Sequence, residues 1–203
     1  MFHDSEDEMT QVLDINDIEI CERVGATLDR KEVITLATLY GHIFAERPWR
    51  FDWERYVDDP DNPNSAVTFL ETLISYGATL FIGTHRPTKE VVGYLIILTL
   101  TDRALEGILS DLKTQGNAQA GDVYLAGFGN LPHAQKIGLG KRFMLEGLRW
   151  GGNRRFWLRT RPEAEGMVSL SVNTAKMRVH KQYMALQAGA EYERLLFVRD
   201  PAA

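Results

Sequence analysis

The sequence predicts a mixed α/β domain with a mostly antiparallel sheet, and three observations predict it. Runs rich in branched residues alternate with runs of helical periodicity. Two of the branched runs, 78–84 and 91–101, flank the polar stretch HRPTKE as an antiparallel hairpin. GDVYLAGFGN, GLGKRFMLEGLRWGG and RRFWLRT then follow as strand, helix and strand, a crossover that makes its two strands parallel. At 203 residues the chain is sized for one core.

Each element has its own signal. From Asp4 to Glu22 every formally charged residue is acidic, which predicts a disordered acidic head over residues 1–14. A single domain over 15–203 follows, opening with a strand around Asp17 to Arg23. Asp29 and Glu32 have the spacing of a reciprocal helix cap, and Val33, Leu36, Tyr40 and Ile43 or Phe44 recur at helical intervals until Pro48. After DDPDNPN, Ser65 is placed to cap a second helix with Val67, Leu70 and Ile74 inward, and Gly77 to stop it. The run 91–101 is nearly all apolar and predicts a central strand.

Residues 102–121 predict a short helix with Leu105, Ile108 and Leu112 inward, running into a mobile linker, TQGNAQAG. Residues 175–188 have helical composition, and GAEYERLLFV supplies a final strand. The stretch RTRPEAEGMVSLSVNTAKM reads as a long polar connection that reaches over a site.

Composition excludes several classes. A formal net charge of -5 opposes general attraction to nucleic acid or an anionic membrane, so neither is an expected partner. Cys21 is the single cysteine, which rules out an internal disulfide and points to a reducing compartment. The opening residues are acidic where a targeting peptide is basic, and no apolar run approaches the roughly 20 residues of a membrane span, so the expected location is cytoplasmic. His3, His42, His85, His133 and His180 are scattered, and no catalytic metal is expected.

The most informative stretch is QKIGLGK, residues 135–141, between a strand and a helix. Gly138 and Gly140 let backbone N–H groups crowd toward a ligand, and the helix start adds about half a positive charge, which together suit a phosphate. Lys136, Lys141 and Arg142 lie beside it. Glycines that merely ease a tight turn into a helix would read the same way. A triphosphate loop needs Ser or Thr after its lysine, where Arg142 stands, and a dinucleotide fingerprint needs a third glycine where Phe143 stands. Upstream, Gly127 and Gly129 weaken a strand and mark a bulge or a close approach. The combination describes an extended ligand with a phosphate at one end and an amide-bearing arm along a splayed strand.

Here the chain resembles the GCN5-related N-acetyltransferases. Gln135, Gly138 and Gly140 fill that family's pyrophosphate-loop pattern, and Pro132 stands three residues ahead of it; Asn130 and Ala134 depart from the usual hydrophobic and aromatic residues. The resemblance covers about residues 15–199 and implies a mixed, mostly antiparallel twisted sheet flanked by helices, with a V-shaped splay between the cofactor strand and the next.

It implies acetyl-CoA as cofactor, its arm paired with the backbone of Leu125, Ala126, Gly127, Phe128, Gly129 and Asn130, and its diphosphate on Gln135, Lys136, Ile137, Gly138, Leu139, Gly140 and Lys141. A backbone N–H near Gly129 or Asn130 would face the thioester oxygen, and Tyr183 would be the acid on the following helix, or Ala185 would hold that position if Gly189 sets the register. Water is the alternative acid. Base candidates are Asp122, Glu146, Glu46, Asp52 and Glu54, and PWRFDWERY offers Trp49, Phe51, Trp53 and Glu54 as an acceptor wall.

The implied partner is an amine of a small molecule or a protein, on a monomer or homodimer. Arg159 or Arg161 would suit an acidic acceptor and Glu46 to Glu54 a polyamine. Two other readings stand beside this one: a non-catalytic acyl-CoA-binding module, and a transferase whose Gly127 and Gly129 open the strand to a longer acyl group.

Overall fold

The computed structural model describes residues 13–45, 65–187 and 190–202. Its strands are β1 (Ile18–Val24), β2 (Thr79–His85), β3 (Val91–Thr99), β4 (Val123–Asn130), β5 (Phe156–Thr160), β6 (Arg178–Gln187) and β7 (Ala190–Arg199). They form one sheet in the order β1-β2-β3-β4-β5-β7-β6. Every neighbouring pair is antiparallel except β4 and β5, the ends of the predicted crossover.

One face of the sheet packs on α1 (Arg30–Ala45), α2 (Ala66–Ser75), α3 (Asp102–Glu106) and α4 (Ser110–Gly116). The other packs on α5 (Leu139–Gly151) and on α6 (Glu165–Ser169), which runs into a π-helical turn over Leu170–Thr174. β3 serves both faces: Tyr94, Ile96 and Leu98 belong to the first core, Val92, Leu95 and Ile97 to the second. That double burial explains its unbroken apolar run, each such side chain contributing about 1.5–3 kcal/mol. No described helix is long and apolar enough to cross a membrane.

The caps match the sequence. Glu32 donates its N–H to Asp29 Oδ1 at 2.8 Å while Asp29 donates its own to Glu32 Oε2 at 2.9 Å, closing the reciprocal box. Ser65 Oγ accepts from the Thr68 N–H at 3.1 Å, and Gly77 turns the chain out of α2 at φ +85°.

Three expectations need correction. Residues 175–188 are not a helix: Arg178–Gln187 is the edge strand β6, paired along its length with β7 through a register shift at Val179/Lys181. Its Lys, Gln, Met, Ala and Leu favour helix locally, and sheet pairing outweighs that modest preference. The helix lies earlier, as α6 and the π turn, inside the stretch expected to be a polar connection; Gly166, Ser169, Ser171 and Asn173 are weak helix formers, so it is short and irregular. Finally, α4 is packed rather than mobile. Leu109 and Leu112 are buried where Ile108 was expected inward, and a Cβ on Gly116 would come within 2.8 Å of Leu196 and 2.9 Å of Trp157.

Candidate functional site

The site begins where two strands part. β4 pairs with β5 only over Val123, Tyr124 and Leu125, opposite Phe156, Trp157 and Leu158, although β4 continues to Asn130 and β5 to Thr160. On its other edge, β4 pairs Leu125 with Ile97 and Gly127 with Ile96, leaving Ala126 as an extra, bulged residue. Beyond Leu125 the β4 backbone groups aimed toward β5 have no strand partner, as a ligand-gripping edge requires.

Gly129 explains how helix α1 comes so near. A Cβ on Gly129 would lie 2.7 Å from Ile43 Cγ2 and 2.8 Å from its Cδ1, and one on Gly127 would lie 3.5 Å from the Tyr40 ring. The room Gly129 leaves is therefore taken by α1, whereas a Cβ on Gly127 would come within 3.1 Å of Ile96 on β3 and make only ordinary contact with α1.

At the end of β4, a 3-10 turn over Pro132–Ala134 leads into the bend. Lys136 (φ +63°) and Gly138 (φ +92°) both adopt left-handed backbone, and Gly138 caps α5 with no side chain bonded to its first amides. The first helical bond runs from the Arg142 N–H to the Gly138 carbonyl at 3.2 Å. Leu139 anchors the helix start in the core, while Gln135, Lys136, Gly138 and Lys141 are exposed. A Cβ on Gly138 would meet nothing within 4 Å, so the bend opens outward. Gly140 instead is a close approach, its Cβ position 3.2 Å from Phe128 and 3.1 Å from Leu170. Gln135 Nε2 donates to the Asn130 carbonyl at 3.4 Å, tying the bend to the strand.

The surrounding basic residues divide. Lys136 and Lys141 stay at the bend, but Arg142 donates to the Ile15 and Ile18 carbonyls at 2.8 and 3.2 Å. Arg149 pairs with Glu146, Arg154 bonds Thr99, and Arg155 pairs with Asp200.

Asn130 places its side chain between Gly93 and Gly140, with Oδ1 buried and lacking a hydrogen-bond partner. Tyr183 sits on β6 and donates its hydroxyl to Asp111 Oδ2 at 2.7 Å, the oxygen that Arg159 also holds. Burial, then the Asp111 carboxylate, raise the Tyr183 phenol above its ordinary range. Trp49, Phe51, Trp53 and Glu54, with Glu46 and Asp52, lie outside the described residues. Asp122 accepts from Trp157 Nε1 at 2.8 Å and from the Gln119 N–H at 3.0 Å, and His133 pairs with Glu90 at 3.2 Å, so these and Glu146 are engaged away from the splay.

A cleft occupies the splay and crosses the sheet. Leu125, Phe128, Leu158 and Met167 line it from the α5 side; Tyr40, Phe44, Phe69, Tyr124, Arg159 and Arg194 line it from the α1 side. Asp111 and Arg194 are the residues that sequence reasoning missed. Asp111 carried no signal, being one acid in a polar stretch. Arg194 carried one: along β7 it alternates with Leu196 and Val198, so it stands at a core-facing position of its strand.

No family model matches the chain, and no curated protein sequence matches it. Solved structures do. The Arabidopsis thaliana NAA60 structure in complex with acetyl-CoA superposes with a TM-score of 0.59 at 18% identity, covering 90% of this chain and 99% of that one. The chain has the acetyltransferase fold. A histone acetyltransferase HPA2 and related acetyltransferase from Corynebacterium glutamicum gives 0.60 at 16% identity over 92% and 98%. Salmonella typhimurium yncA, a putative acetyltransferase solved with acetyl-CoA, gives 0.58 at 13% over 90% and 94%.

Proposed function

We propose that the protein moves an acetyl group from acetyl-CoA to a primary amine of a small molecule or protein, by direct attack in a ternary complex. One observation carries this reading: a strand released from its neighbour at a bulge leads to a left-handed glycine that opens an uncapped, outward-facing helix start. The donor, when bound, supplies an activated thioester.

The chain's own residues do the rest. The backbone of Leu125 to Asn130, released from β5 beyond Leu125, would pair with the amide-bearing arm as an added strand. Amides from Ile137 to Lys141, with Gln135 and Lys136 beside them, would hold the diphosphate at the positive end of α5. The N–H of Gly129 or Asn130 would meet the carbonyl oxygen as it gathers negative charge. In the transfer, the amine nitrogen bonds the acetyl carbon, the carbon–sulfur bond breaks, and the proton lost by nitrogen is balanced by one gained at sulfur. Tyr183 is the side-chain candidate for that last proton. Its raised pKa makes it a reluctant acid, so water in the cleft is the better source and Tyr183 serves by holding Asp111 and Arg159.

The test is to incubate purified protein with acetyl-CoA and an amine panel, following free thiol and acetylated product by mass. Release of thiol that depends on an amine is expected. Cofactor binding without turnover would favour the non-catalytic module, and tight binding of only a longer acyl-CoA would replace acetyl as the donor.

A further inference from the structure

Thr160 ends β5, past Leu158, where the pairing with β4 stops. Its place is fixed by pairing with Leu195 on β7, and the residue is only 1% exposed. Its Oγ1 is buried and has no hydrogen-bond partner. A hydroxyl left so is costly, and valine would fill the same volume without that cost. Side chains alternate along the strand: Leu158 packs in the core under α5, and Arg159 turns the other way to Asp111 on α4. Thr160 therefore returns to the α5 face. Among the described residues lining the cleft on that face, Leu125, Phe128, Leu158 and Met167 are apolar, and Thr160 supplies the polar side chain.

We infer that the Thr160 hydroxyl is the β5-side partner of the donor's arm, donating to an amide carbonyl of that arm. This rests on the acyl-CoA reading of the splay and adds a side chain to it. The proposed diphosphate seat belongs to the start of α5, so the arm enters the splay from the α5 face, with Leu125 and Phe128 on one side and Leu158 and Thr160 on the other. The arm is an apolar chain interrupted by amides. Lying along β4 as an added strand, it has the amide groups that face β4 answered by backbone, while those facing β5 still need partners. An amide carbonyl shielded from water requires a donor, and a threonine hydroxyl is one. Apolar neighbours suit the methylenes on either side of it. Each of the two unanswered groups thus completes the other.

Two variants separate binding from structure. Thr160→Val keeps the volume and removes the hydroxyl: its melting temperature should equal or exceed that of the wild type, while calorimetry shows coenzyme A bound at least about threefold more weakly. Thr160→Ser keeps the hydroxyl and leaves a methyl-sized void: it should melt lower, yet bind coenzyme A within about twofold of the wild type. The phosphorylated ADP half of coenzyme A lacks the arm and should bind wild type and Thr160→Val alike. Equal coenzyme A affinity in wild type and Thr160→Val overturns the contact, and so does an equal loss of the armless half. A lower melting temperature in Thr160→Val also overturns it, because the hydroxyl would then be a structural group. If the wild type binds no coenzyme A, the acyl-CoA reading itself fails and takes the contact with it; if it binds and Thr160→Val binds as well, the contact alone falls.

Discussion

The hydroxyl of Tyr183, on the edge strand β6, donates to Asp111 on α4 at 2.7 Å, closing the outer strand onto a helix 72 residues earlier in the chain. Arg159 meets the same carboxylate oxygen from β5, so one acid fixes a phenol and a guanidinium behind the cleft.

Tyr183→Phe separates positioning from proton donation. As a positioning group, its loss should cost roughly 1–3 kcal/mol of stability and lower kcat less than about tenfold, leaving the pH profile of kcat in place. Loss of the profile's alkaline limb with a fall of about a hundredfold or more would make Tyr183 the acid.

Gly138→Asp should weaken coenzyme A binding by about tenfold or more, ~1.4 kcal/mol, because a carboxylate enters the proposed diphosphate seat at the positive end of α5. Gly138→Ala adds only backbone strain, of order 1 kcal/mol, since a Cβ there finds open space. Gly152→Ala is strained more, at φ +62° and ψ −138°, a region nearly reserved for glycine, yet lies at the other end of α5 and should leave affinity unchanged. Calorimetry alongside thermal melts reads both effects; equal affinity in folded Gly138→Asp would remove the seat.

Gly129→Ala should destabilise the fold by about 1–3 kcal/mol, because its methyl collides with Ile43. In an Ile43→Ala background the same change should cost less, with a coupling of about 0.5–3 kcal/mol in the double-mutant cycle. Additive costs would show that α1 can step away from the strand.

Stability should fall above pH 10. Burial raises the phenols of Tyr94 and Tyr124, and of Tyr40, above the ordinary value of about 10. Unfolded tyrosines release their protons near pH 10 while these keep theirs, so above that pH the native state binds more protons and loses stability as pH rises; below it the contribution is complete. Denaturant midpoints between pH 8 and pH 11, with tyrosinate absorbance appearing only on unfolding, would check this.

What was legible in the chain was mostly local. The Asp29–Glu32 box, the Ser65 cap and the 78–101 hairpin rest on contacts between near neighbours in sequence, and they stand where the residues put them. The strand glycines announced a bulge, which falls at Ala126 between Leu125 and Gly127. Residues 175–188 misled because their helical preference is worth only tenths of a kcal/mol per residue, against a ladder to β7 that no local window contains.

The sequence by itself determined the bend: two glycines and a helix start specify where amides point outward, because backbone freedom is a property of the residue that stands there. The tertiary structure alone decided the chemistry of the cleft. Asp111, Arg159 and Arg194 come from three elements distant along the chain, and their charges meet only because β5, β7 and α4 pack around one splay. Electrostatic fields depend on distance in space, and sequence order carries no record of it.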